Sequence, residues 1–353
     1  MRKGKRLIAW IMAVVMLFTI CVFGGNGTAE AAATTPVAKH GRLSVKGADL
    51  VDSKGNKFQL RGISTHGINW DVGSPYVNKK VFKTLRDDWG VNAIRLAMYT
   101  EEYNGYCSGG SQAKLRKLVD KGVGYATDLG MYAIIDWHIL SDGNPNKNKS
   151  QAKKFFTTMA KKYKNNKNVI YEICNEPNGC SWKEIKSYAT DIIKTIRKYD
   201  KKAVIIVGTP TWSQLGTDGT SNEVADSPIK GYKNIMYSLH FYASEWAHNE
   251  YLPAKVAYAR KKKLPIIVSE FGLSPASGDG AINKASADKW MKLLNKYNIS
   301  YFCWSLSNKN ESASLLKPST KKISGWKSGD LSTAGKYIKK KYLARKKALG
   351  KKA

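Results

Sequence analysis

The sequence lacks the common signatures of metal, nucleotide and serine chemistry. It has no Cys-x-x-Cys pair, so a structural zinc site is disfavoured. No His-x-His occurs, which argues against the paired ligands of many metal hydrolases. No Gly-x-Gly-x-x-Gly or Gly-x-x-x-x-Gly-Lys turn is present, and this disfavours a nucleotide-binding sheet. A Gly-x-Ser-x-Gly turn, the usual seat of an exposed serine nucleophile, is missing too. After about residue 30 there is no Pro/Ser/Gly-rich linker and no low-complexity stretch, which points to one large domain. Acidic residues are also scarce, with 27 Asp and Glu against 59 Lys and Arg.

The formal charge is therefore +32. Such a charge favours anionic surfaces, such as cell-envelope polymers. No nucleic-acid motif accompanies it, and the N-terminus argues for export, so nucleic acid is not the expected partner. Arg2, Lys3, Lys5 and Arg6 precede an apolar run from Leu7 to Phe23, and Ala29-Glu30-Ala31-Ala32-Ala33 follows. That is the pattern of a secretory signal peptide cleaved after Ala31 or Ala33, with an uncleaved anchor as the alternative. The expected organisation is a leader at 1–33, a catalytic domain at 34–345 and a basic tail at 346–353, in a secreted monomer. Export permits disulfides, and Cys174 with Cys180 is conceivable. Free thiols are preferred, since Cys174 and Cys303 sit in strand-like apolar segments.

Hydrophobic periodicity alternates between short apolar runs and helical stripes. The runs are Leu60–Ser64, Val91–Ala97, Met131–His138, Val169–Asn175, Ala203–Gly208, Ile235–His240, Pro265–Glu270 and Ile299–Trp304. One stripe, Ile185, Ala189, Ile192, Ile196 and Tyr199, opens on a capping box of Ser181 and Glu184. Eight strand–helix units in about 290 residues predict an α/β fold, a (β/α)₈ TIM barrel. Leu43–Val51 and Lys57–Leu60, flanking Ser53-Lys54-Gly55-Asn56, read as an N-terminal β-hairpin before the barrel.

Rare polar residues gather at the ends of these runs. His66, His138 and His240 each close an apolar strand, Glu176 and Glu270 end two others, and Arg95 lies within a third. Barrel enzymes place their chemistry at the C-terminal ends of strands. Two carboxylates without a cofactor or metal motif fit glycoside hydrolysis, in which one acid protonates the leaving oxygen while the other attacks or activates water. In Tyr171-Glu172-Ile173-Cys174-Asn175-Glu176-Pro177, alternation puts Glu172, Cys174 and Glu176 on one side, with Glu172 deeper as a partner for Arg95.

These stretches resemble glycoside hydrolase family 5. The resemblance rests on Leu60-Arg61-Gly62-Ile63-Ser64-Thr65-His66-Gly67, Asn175-Glu176-Pro177, His240-Phe241-Tyr242, Ser269-Glu270-Phe271-Gly272 and Cys303-Trp304-Ser305, in that order. The N-terminal hairpin and the Lys309/Glu311 region look most like the bacterial endo-β-1,4-glucanase subgroup. The resemblance implies Glu176 as acid/base and Glu270 as nucleophile of a retaining double displacement on cellulose or mixed-linkage β-glucan, with no cofactor and no metal. It further implies that Arg95 and Tyr242 hold Glu270 ionised, with His240 beside Glu176. By the same likeness Asn175 and His138 bind sugar hydroxyls, and Trp304 stacks under the sugar. His66, Trp70, Tyr99, Lys309 and Glu311 would serve donor subsites, and Trp212 an acceptor one. Cys174 stands where a small Ala is expected. A β-mannanase is the nearest alternative activity, and a non-catalytic carbohydrate-binding protein the alternative class.

Overall fold

The computed structural model describes residues 34–350. The expected leader at 1–33 and its cleavage lie outside them. A short helix α1 (Pro36–His40) leads into the hairpin β1 (Ser44–Lys46) and β2 (Asp49–Val51). The barrel follows: β3 (Arg61–Thr65), α2 (Lys79–Trp89), β4 (Ala93–Tyr99), α3 (Gln112–Asp128), β5 (Tyr132–His138), α4 (Lys149–Tyr163), β6 (Val169–Glu172) and α5 (Trp182–Arg197). Then come β7 (Ile205–Val207), the single turns α6 (Pro210–Ser213) and α7 (Glu223–Asp226), β8 (Ile235–Tyr242), α8 (Trp246–Lys261), β9 (Ile266–Gly272), α9 (Lys284–Lys296), β10 (Tyr301–Leu306) and α10 (Thr333–Gly350). Strands β3 to β10 are all parallel and close into a barrel in chain order, with β10 pairing β3. The eight apolar runs thus become the eight staves.

Local chemistry explains several boundaries. Ser181 and Glu184 form the reciprocal capping box that starts α5. Asn78 caps α2, which stops at Gly90 in the left-handed region. Two expectations need correction. The hairpin closes at Gly47, φ +59°, pairing Ser44 with Val51, so the first apolar run folds back on itself. The segment expected as its second arm keeps a single bridge, Val51 to Lys57, because the Asp52 carboxylate gathers the Lys54 and Asn56 amides into a turn. The unit after β7 has no full helix. Its residues, rich in Gly, Asp, Ser and Thr from 216 to 222, carry no apolar stripe and yield only α6 and α7. At the other end, α10 continues to Gly350, five residues into the stretch expected as tail.

Two apolar layers hold the barrel. An outer shell packs the strands' outward faces on the helices and includes Trp89, Trp182 and Trp290, as their helical spacing predicts. A smaller inner cluster fills the bottom of the barrel, where Ile134, Ile170, Ile206, Ile267 and Phe302 meet Leu43 and Leu50 of the hairpin. The hairpin therefore plugs the end away from the carboxylates. Above that floor the interior turns polar: Arg95, Asp136, Glu172, Ser238 and Ser269 are all fully buried. Cys107, Cys174, Cys180 and Cys303 are free thiols.

Candidate active site

The strand-end residues converge on one cleft of about 600 Å³ at the C-terminal mouth. His66, Trp70, Tyr99, His138, Glu176, Trp212, His240, Tyr242, Glu270, Trp304, Lys309 and Glu311 line it. Arg95 and Asn175, the remaining two sequence candidates, are fully buried and lie outside that lining. Their part is to brace the residues above.

Arg95 is the hub. Its guanidinium donates to Glu172 at 2.7 Å, to Glu270 at 2.9 Å and to the Asn175 side-chain oxygen at 2.5 Å, and it lies 3.0 Å from Asp136. Burial opposes the charge on Arg95, but the carboxylates around it outweigh that and hold it protonated. One cation cannot neutralise three acids in so dry a place. Burial accordingly raises Asp136 to about 7, with Arg95 only partly opposing, and raises Glu172 also. Asp136 Oδ1 and Glu172 Oε1 have no hydrogen-bond partner among the described residues, so no donor there offsets a charge on either acid.

The two candidate catalytic acids stand in contrasting surroundings. Glu270 accepts from Arg95 on one oxygen and from the Tyr242 hydroxyl, at 2.7 Å, on the other. Gly272 makes room for that tyrosine, since a Cβ there would come within 2.5 Å of its ring. Glu176 has no cation in contact. It faces His240 Nδ1 at 2.8 Å, and its side chain is 13 % exposed to the cleft. Burial, helped by Asp136 and Glu172 against Arg95, raises it to about 8. His240 itself is lowered to about 4 by burial and stays neutral, with Nε2 on the Ser269 hydroxyl. One oxygen of each acid, with a His240 ring nitrogen, lie within 4.8 Å of one another. That spacing would also suit a metal ion. However, Arg95 and Tyr242 occupy the Glu270 oxygens, and a second positive charge would have to enter beside the guanidinium.

Both acids owe their aim to a break in strand alternation. Ser238 pairs with Ile267 but His240 with Glu270, so two residues of β8 oppose three of β9. This bulge turns both Ser269 and Glu270 inward, where regular alternation allows only one. After Glu172, the Asn175 amide donates to Trp137 O, and one residue is again extra relative to the Asp136–Glu172 pairing. The expected alternation of Glu172, Cys174 and Glu176 therefore fails. Cys174 packs outward with Ile173 in the shell, and Asn175 joins Glu172 on Arg95. The register of β10 also shifts between Cys303 and Leu306, at Trp304.

The cleft walls are aromatic and neutral. Trp304, 6 % exposed, stacks on His138 with centroids 5.2 Å apart and planes at 18°. His138 donates or accepts at Asp136 (2.6 Å) and is lowered to about 3 by burial and Arg95. The Asn175 amide nitrogen lies 3.0 Å from Ile139 O and 3.3 Å from His138 Nε2. Burial likewise lowers His66 to about 3, and its Nδ1 accepts from the Gly67 amide. Beside it Lys309 pairs with Glu311 at 2.5 Å, and Glu311 lies 3.7 Å from His66 Nε2. Trp70 packs on Tyr99 at 4.5 Å. Trp212 is 44 % exposed and sits in a run of three left-handed residues, Thr211, Trp212 and Ser213. Bulky residues rarely adopt that backbone, and here the Trp212 amide bonded to Pro177 O and the Ser213 hydroxyl bonded to Asn175 O hold it.

Sequence reasoning did not find Glu102, Leu140, Gln214, Glu245, His248 and Ala276 to Gly278, which also line the cleft. All but His248, which sits in the first turn of α8, lie in loops, which carry no periodic signal. Asp136 was findable, as an acid two residues before His138 in an otherwise apolar strand.

The comparisons agree with this architecture. The family described as Cellulase (glycosyl hydrolase family 5) matches residues 51–310. The chain belongs to that family and is a glycoside hydrolase of its bacterial endoglucanase group. An endoglucanase of Clostridium saccharobutylicum is 47 % identical over 341 residues, covering 95 % of this chain and 72 % of that protein. Endoglucanase 5 of Pectobacterium carotovorum subsp. carotovorum is 44 % identical over 325 residues, 92 % of this chain and 62 % of that one. The crystal structure of the catalytic domain of Thermobifida fusca endoglucanase Cel5A is 37 % identical. It covers 88 % of this chain and 99 % of that domain, with a TM-score of 0.81. A Glu-to-Gln variant of the same domain, in complex with cellotetraose, superposes equally well, also at 0.81.

Proposed function

We propose that this chain is a secreted, retaining endo-β-1,4-glucanase that cleaves internal bonds of cellulose or mixed-linkage β-glucan by double displacement. One observation carries the reading: two acids within 4.8 Å, one bound to a guanidinium and a phenol, the other raised to about 8. Retaining enzymes need their carboxyls about 5–5.5 Å apart, too close for a water between acid and sugar.

In the first step Glu270 Oε attacks the anomeric carbon while Glu176 gives its proton to the leaving glycosidic oxygen. The leaving chain departs as an alcohol, and a glucosyl ester forms on Glu270. In the second step Glu176, now a carboxylate, takes a proton from water. That water displaces Glu270 and restores both groups. His240 holds the acid in place, Trp304 offers a flat apolar face to the sugar, and His138, braced from beneath by Asn175, faces its hydroxyls. Trp70, Tyr99, His66, Lys309 and Glu311 then serve the donor side and Trp212 the acceptor side.

The sign of the pH dependence follows. Glu176 must be protonated to act first, and its affinity for the proton is raised, so kcat/KM should fall as pH rises through about 8. With an aryl cellobioside whose leaving group needs no proton, that alkaline limb should vanish. Persistence of the limb would assign it to another group.

The stereochemical test is direct. Proton NMR of the first products from a β-glucan should show the β-anomer before mutarotation, together with a rapid fall in viscosity. Initial α-anomer would mean single displacement. Parallel rates on glucan and mannan decide between the glucanase and a mannanase. The charge of +32 supports retention near anionic envelope polymers once the protein, a monomer in this reading, is exported.

A further inference from the structure

Exposed large aromatic rings are few among the described residues, and three of them fall on one side of the barrel mouth. Trp212 is 44 % exposed, Trp246 68 % and Tyr251 37 %. A soluble protein leaves an indole this open at a cost, and such rings commonly mark a binding surface.

Trp246 opens α8 directly after Glu245, a cleft-lining residue, and His248 two residues later lines the cleft as well. The tryptophan is held from behind. Tyr251 meets it edge-on, with centroids 5.9 Å apart and planes at 82°. Tyr251 in turn covers Gly219, where a Cβ would come within 2.8 Å of the phenol ring. Lys255, almost wholly buried, donates to Gln214 O at 3.1 Å and to Asp218 O. The loop that follows Trp212 is therefore fastened to the helix that carries Trp246. Since β7 pairs with β8, the rim from Trp212 to Trp246 is continuous.

The chain order fixes which end of the cleft this is. The Trp212 amide donates to Pro177 O, beside Glu176, the group assigned above to the leaving oxygen. Trp70 and Lys309 follow β3 and β10, and Tyr99 ends β4, on the opposite side of the closed barrel.

We propose that Trp246, braced by Tyr251, is a distal acceptor-side platform that stacks on a glucosyl ring of a β-1,4-glucan beyond the ring at Trp212. The inference rests on the endoglucanase reading and deepens it. A β-1,4-linked glucosyl unit carries its hydroxyls at the edge and presents flat C–H faces, which match an exposed indole. Covering the indole removes its apolar surface from water, while the hydroxyls stay hydrated. Continuity with the cleft selects a polysaccharide chain over a protein partner.

The test compares kcat/KM on cellohexaose and cellotriose for the wild type, Trp246→Ala and Trp246→Phe. Loss of one stacked ring corresponds to about a tenfold fall on cellohexaose, using about 1.4 kcal/mol per factor of ten. Cellotriose is too short to reach the platform and should be cleaved as before. Trp246→Phe should recover most of the loss, and the unfolding midpoint should be unchanged in both variants. Equal losses on both oligosaccharides, or no loss on either, would overturn the platform. A wild type inactive on both would instead remove the endoglucanase reading on which it stands.

Discussion

Replacing Glu270 by Gln is expected to lower kcat on soluble β-glucan by about 10⁵-fold, in line with losses seen when a covalent nucleophile is removed. The amide is nearly the same size and can still meet Arg95 and Tyr242, so folding should survive while the attacking electron pair is lost. Glu176→Gln should cost about 10²- to 10⁴-fold, the usual range for a general acid–base. The two variants can be told apart by substrate. With an aryl cellobioside of good leaving ability, Glu176→Gln should form the glucosyl ester at near-normal rate and hydrolyse it slowly. Azide, which needs no general base, should then speed turnover and give a β-glycosyl azide. Glu270→Gln should show no burst. A 2-fluoro glycoside should add its mass to the wild-type peptide that contains Glu270. Near-normal activity in either variant, or label on another peptide, would overturn the assignment.

Arg95 carries the second large expectation. Arg95→Met would leave Asp136, Glu172 and Glu270 together in a barrel interior with no cation. Breaking a buried ion-pair network in this way costs about 3–5 kcal/mol, and the unfolding midpoint should fall accordingly. The loss should be greatest at alkaline pH. Asp136 and Glu172 already bind protons more tightly in the folded state than free acids do. A raised pKa contributes stability below the unfolded value and loses it as pH rises through the folded one. Without the guanidinium the proton affinities rise further, so the variant should regain stability as the medium is acidified towards pH 5. Arg95→Lys keeps the charge but not the planar fork that reaches five side chains, Ser64 included, at once. It should fold better than the methionine variant and still lose most activity, because Glu270 and Asn175 lose their common brace. A melting temperature for Arg95→Met that equals the wild type at pH 8 would refute the network's role.

Much of this was written in the chain itself. Eight short apolar runs alternating with helical stripes point to a parallel sheet covered on both faces, and the count of eight with no glycine-rich phosphate turn favours a closed barrel over an open sheet. His66, His138, His240, Glu176 and Glu270 then had to share a face, since parallel staves put all strand ends at one mouth. The capping box of α5 and the buried fates of Trp89, Trp182 and Trp290 followed from spacing alone.

Other features depend on register and packing, which no local pattern encodes. Strict alternation would have grouped Cys174 with Glu172 and admitted only one of Ser269 and Glu270; an extra residue just after β6 and a bulge in β9 decide otherwise. Those bulges exist only because particular neighbouring strands pair. The extra cleft residues, from Glu102 to Gly278, came from loops that lack periodicity, save His248 in the first turn of α8. Which residues line the cleft and which lie beneath it was also a tertiary matter. Arg95 and Asn175 reach Glu270 and His138 only because β4, β5, β6 and β9 wrap around one axis. The sequence by itself determined the barrel, its polar mouth and the two acids. Only the tertiary structure decided their proximity and their contrasting surroundings, because both depend on side chains brought together from distant strands.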